Sequence, residues 1–145
     1  MKNQIKSMLL LIAVMFTIGC EKEDPISTNV EGSLTAKFNF YNTTTQAWSA
    51  PENFTATSVI TTKSNNDYTI VAKDVSNNTV LFSASAVTAV GTYVIRGTYK
   101  KGTVDYNAGS GQMIITAIGT NSLTATVILE NQAWSFYDGK LTATF

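Results

Sequence analysis

Histidine is absent from the 145 residues, and Cys20 is the single cysteine. Without histidine there is no Ser-His-Asp or Cys-His nucleophile and no imidazole for a metal. With one thiol there is no intramolecular disulfide and no Cys-x-x-Cys zinc or redox motif. Charge is equally scarce. Ten basic and ten acidic residues cancel to a formal net charge of zero, and only 14% of residues are charged. No basic stretch runs long enough to neutralise a phosphate backbone, so no nucleic-acid partner is expected. Nor is a Gly-rich phosphate loop, a Gly-x-Ser-x-Gly elbow or a calcium-loop spacing present. The expectation is a chain without cofactor, without metal and without catalytic function.

What is present begins with an address. Lys2 and Lys6 precede an apolar run from Met8 to Phe16, which continues through Thr17-Ile18-Gly19 to Cys20. A positive flank, a short apolar core and a small residue before the boundary define a secretory signal peptide over 1–19. The run is about a dozen residues, short of the roughly 20 that a bilayer-spanning helix needs. Phe16-Thr17-Ile18-Gly19-Cys20 resembles a bacterial lipobox, with Thr17 where leucine is usual. That resemblance implies cleavage between Gly19 and Cys20 and acyl chains, palmitate among them, on the Cys20 sulfur. Each buried methylene contributes about 0.8 kcal/mol, and two or more chains hold a protein on a membrane stably.

Residues 20–32 read as the lipidated cysteine and a flexible acidic tether. Within it, Lys22-Glu23-Asp24 resembles the surface-export signal of Bacteroidota lipoproteins. This implies an outer-membrane protein facing the cell surface, with a periplasm-facing position as the alternative.

From Ser33 to Phe145 the period is two. Leu34, Ala36, Phe38 and Phe40 alternate with Thr35, Lys37, Asn39 and Tyr41, and Leu123, Ala125, Val127 and Leu129 alternate with Thr124, Thr126, Ile128 and Glu130. Successive strand residues point to opposite faces, so each segment offers one apolar and one Thr-rich face. The chain holds 22 threonines, and β-branched Thr suits a solvated sheet face. Asn65-Asn66-Asp67, Ser76-Asn77-Asn78, Lys101-Gly102 and Gly119-Thr120-Asn121 are expected reversals. Gly109-Ser110-Gly111 reads as a flexible turn, and Asp138-Gly139 as the strongest hairpin signal. Nine to eleven short antiparallel strands follow. They predict an all-β domain over 33–145, a sandwich by preference, with a closed or partly open barrel as the alternative.

Leu34-Thr35-Ala36-Lys37-Phe38, Trp48-Ser49-Ala50, Gly91-Thr92-Tyr93-Val94-Ile95, Gly111 to Thr116 and Asp138-Gly139-Lys140-Leu141 carry a wider likeness. Behind a lipobox and an acidic tether, this order resembles a family of small Bacteroidota lipoproteins with one β-domain of unknown function. The resemblance implies fold and location and brings no catalytic residue. Six carboxylates lie in the body: Glu52, Asp67, Asp74, Asp105, Glu130 and Asp138. Those at 67, 74 and 138 belong to expected turns, and Arg96 is the expected surface partner of Asp105. Aromatics offer more. Tyr99, Lys100, Lys101 and Tyr106 flank one expected turn, and with Trp48 and Trp134 they form the candidate surface for a glycan or protein ligand. The function expected from sequence is a lipid-anchored envelope protein acting by binding or structural display. A barrel for a lipophilic ligand is one alternative, and a carboxylate-based glycan hydrolase is another.

Overall fold

A computed structural model describes residues 28–29 and 32–145. The signal peptide, Gly19, Cys20 and the Lys22-Glu23-Asp24 signal lie outside the described residues. The strands are β1 (Thr28–Asn29), β2 (Gly32–Asn42), β3 (Ala47–Trp48), β4 (Glu52–Ser64), β5 (Asp67–Asp74) and β6 (Thr79–Ala84). They continue as β7 (Gly91–Lys101), β8 (Val104–Ile118), β9 (Ser122–Glu130) and β10 (Trp134–Thr144). No helix forms among the described residues.

From β4 to β10 each strand pairs with the next, β10 returns to pair with β2, and β2 pairs with β4. Every one of these pairings is antiparallel. Eight strands therefore close into one up-and-down barrel, with β1 laid on β4 and the short β3 beside β2. The all-β class expected from the period stands. Of its two architectures the barrel forms, and the favoured sandwich gives way to it. Closure leaves no second sheet to stack, because Phe38↔Glu52 and Trp134↔Phe40 tie both flanks of β2.

Alternation decides which side chains enter. In β9 the odd residues Leu123, Ala125, Val127 and Leu129 are buried and the even ones are exposed. All eight strands contribute to one continuous apolar core. The outer face carries Thr35, Thr69, Thr124 and Thr126 with Lys37, Lys73, Arg96 and Lys140, all exposed. This is the reverse of a bilayer-spanning barrel, whose outside is apolar.

Turn chemistry accounts for the reversals. Asn65, Asn77 and Gly102 take positive φ at the β4–β5, β5–β6 and β7–β8 connections, where Asn and Gly tolerate the left-handed region. Asp138-Gly139 does something else. Tyr137↔Lys37 and Lys140↔Thr35 both belong to an unbroken β10, so the expected hairpin is a β-bulge. Asp138 has φ 53°, which meets the demand of a bulge as readily as that of a tight turn. Gly109-Ser110-Gly111 is likewise no turn but the middle of β8, paired on both sides.

The barrel ends differ. At one end the chain enters at Gly32 and Phe145 packs edge-on against Tyr68, with centroids 5.1 Å apart. The other end gathers inward-facing aromatic rings and the connections 43–51, 75–78, 102–103 and 131–133. β2 has eleven residues; at roughly 3.3 Å each and a tilt of about 40°, these ends stand on the order of 25 Å apart.

Candidate functional site

The aromatic end is a plug. Phe38 stacks on Tyr99 at 3.9 Å between centroids and meets Phe136 at 4.7 Å and Phe54 at 5.8 Å. Trp134 is fully buried and its Nε1–H donates to the Asn107 carbonyl at 2.9 Å. Phe40 and Tyr106 cover this layer, their rings 5.2 Å apart. Above them Lys101 Nζ lies 4.7 Å from the Phe40 ring and 2.7 Å from a Glu52 carboxylate oxygen. Glu52 and Lys101 come from β4 and β7, with two strands between them. Their bridge closes the mouth.

Of the six residues proposed as a contact surface, the structure keeps only some outside. Tyr99 (3% exposed) and Trp134 (0%) are core residues, a correction to that expectation. The reason is parity: in β7 the inward set Ile95, Gly97, Tyr99 excludes Arg96, Thr98 and Lys100. Tyr106 is half-buried, Lys101 is held at the rim, and Lys100 faces outward beside Asp105 at 3.5 Å. Asp105 thus meets Lys100 in place of the expected Arg96. Trp48 remains, 45% exposed, against the edge of Tyr41 at 5.5 Å.

Burial pushes the Tyr99 phenol well above the usual tyrosine range, and Asp74, Glu52 and Tyr106 add to the shift. A raised acid keeps its proton in the folded state while the unfolded chain loses it. Stability from this group is therefore complete below the ordinary tyrosine value of about 10 and is lost as pH climbs from there towards the folded value. Urea midpoints are expected to fall more steeply above pH of about 10 for the natural chain than for Tyr99→Phe. Equal slopes would place the phenol in water.

The outer wall holds the concave surface. A groove of about 640 Å³ opens beside the β10 bulge, lined by Lys37, Asn53, Thr126, Ile128, Asp138 and Lys140. Lys37 Nζ donates to Asp138 Oδ2 at 3.0 Å across it, and this contact raises the Lys37 pKa. A second hollow of about 390 Å³, lined by Val94, Gln112, Ile128 and Glu130 among others, shares Ile128 with the first. The register explains the continuity: Val94↔Gln112 and Gln112↔Ile128 place three outward residues in a row across β7, β8 and β9. Sequence reasoning placed Lys37 and Asn39 on an outward row but did not join them to Asn53 and Asp138. Only the cross-strand register does that.

Five of the six body carboxylates have visible structural duties. Asp67 accepts from Ala86 N–H, and Asp74 caps its turn through the N–H groups of Ser76 and Asn78. Glu52, Asp105 and Asp138 are paired with lysines. Among the described residues no group of three His, Cys, Asp or Glu side chains is placed to hold a metal ion. No family model, no curated protein and no solved structure matches the chain.

Proposed function

We propose that this chain is a lipid-anchored envelope protein, held by acyl chains on Cys20 in the outer membrane and facing the cell surface. It acts by binding, without catalysis. One observation carries the reading: the barrel interior is filled by side chains, and exposed Trp48, set against half-buried Tyr41, stands at the end away from Gly32. A tether joined at Gly32 would hold that pair farthest from the bilayer. A lipophilic ligand inside the barrel would have to displace Phe38, Tyr99 and Trp134, so the binding surface is assigned to the outside.

The anchor is tested by labelling cells with radioactive palmitate. The natural chain is expected to take label and sediment with membranes. Cys20→Ala is expected to lose the label and leave the membrane fraction. A Cys20→Ala protein that still carries label would overturn the anchor, and protection from protease on intact cells would reverse its orientation.

A further inference from the structure

We infer that the outer wall between the Tyr41–Trp48 pair and the β10 bulge is a saccharide-binding site. The inference deepens the binding reading above by naming the class of ligand. A sugar ring presents an apolar C–H face, which an aromatic ring covers, and a rim of hydroxyls, which amide and charged side chains can satisfy. Both are in place here. Trp48 is 45% exposed, with its orientation set by Tyr41. Below it the outward residues of β2 run Tyr41, Asn39, Lys37, Thr35, a row of roughly 20 Å at about 3.3 Å per residue. Lys37 stands opposite Asn53 on one side and Tyr137 on the other.

Asn39 Oδ1 is buried and has no hydrogen-bond partner among the described residues. The Lys37–Asp138 pair sets a donor and an acceptor side by side in the groove. Other occupants fit less well. A peptide cannot add as a strand here, because β2 is paired on both flanks at Lys37. A phosphate group would find Lys37 already matched by Asp138, with Lys140 the one further cation lining the groove among the described residues. A lipid tail or apolar helix laid between Trp48 and Ile128 would cover Lys37, Asp138 and Lys140 in the groove and desolvate their charges. A hydroxyl-rich, amphipathic chain several rings long suits the strip.

The test titrates the full chain with soluble oligosaccharides of glucose, xylose, mannose, N-acetylglucosamine and galacturonic acid, reading tryptophan emission and heat. Trp134→Phe removes the buried fluorophore, so the signal that remains belongs to Trp48. At least one sugar is expected to give a saturable emission shift. Its Kd is expected to rise about tenfold or more in Trp48→Ala, equivalent to about 1.4 kcal/mol. Asn39→Ala and Asn53→Ala should each weaken it several-fold, with unchanged thermal unfolding showing that the fold persists. The proposal fails if no sugar binds at millimolar concentration, or if Trp48→Ala binds as well as the natural chain. It also fails if Trp48→Ala instead abolishes a concentration-dependent self-association, which would assign the face to a second copy. Label on Cys20 is read separately, so failure here leaves the anchor standing, and failure there leaves this site standing.

Discussion

Replacing Phe38 with alanine is expected to cost about 3–5 kcal/mol of unfolding free energy, against a total of about 5–15 kcal/mol for an ordinary domain. Phe38 is 2% exposed. Its ring centroid lies within 6.3 Å of those of five others: Phe40, Phe54, Tyr99, Trp134 and Phe136. Those partners come from β2, β4, β7 and β10, so one side chain fastens the seam where β2 closes the barrel to strands across its diameter. Truncation removes the buried area and leaves a cavity among large, flat neighbours that collapse poorly. Guanidinium unfolding measures the loss. The outward Thr69→Ala on β5 serves as control and should stay within about 0.5 kcal/mol of the natural chain. A Phe38→Ala cost near that of the control would mean that the barrel has no packed aromatic end.

The period-two alternation made the fold class legible, because it needs only the sign of each residue's burial. It did not reveal closure. A sandwich and a barrel bury the same faces, and what separates them is the long-range pairing of β10 with β2 and of β2 with β4. Local turn chemistry misled where one motif answers two demands. Asp138-Gly139 supplies a left-handed residue, and the chain uses it to coil β10 around the wall instead of reversing it. Asn65 and Asn77 take similar values at true reversals. The difference lies in the neighbouring strands, which no short window contains.

The candidate surface was half legible for a related reason. Parity carried on from Ile95 would have sent Tyr99 inward and Lys100 outward, and parity back from Phe136 would have buried Trp134. Reading the aromatics as a set, by type, lost that information. Trp48 lies in a two-residue strand with no run of its own to read, and its exposure depends on the hairpin that seats it against Tyr41. The groove joins residues as distant in sequence as Lys37, Asn53 and Asp138, a proximity that follows from register alone.

That register depends on backbones drawn close together, and the second large effect is expected there. Gly111→Ala should destabilise by about 3 kcal/mol or more, at the upper end of what overpacking costs. A Cβ on Gly111 would run into the Ile128 carbonyl oxygen, with Ile128 C at 2.7 Å and Leu129 Cα at 2.9 Å. These are main-chain atoms of β9, so no side-chain rotation relieves the contact and the strand itself must shift. Gly102 is the informative contrast. It has φ +59° and open space around its Cβ position, so Gly102→Ala should cost only about 1–2 kcal/mol of left-handed strain, and Gly102→Asn less. Asparagine will not rescue Gly111, because the difficulty there is contact and not dihedral angle. The two series, measured by chemical denaturation, separate the causes. Moving β9 also moves Ile128, the residue that both outer hollows share. Any Gly111→Ala protein that still folds should therefore bind a saccharide at the proposed site more weakly than Gly102→Ala does. Equal stability losses at the two glycines would mean that β8 and β9 do not approach so closely, and the wall that positions the groove would lose its physical basis.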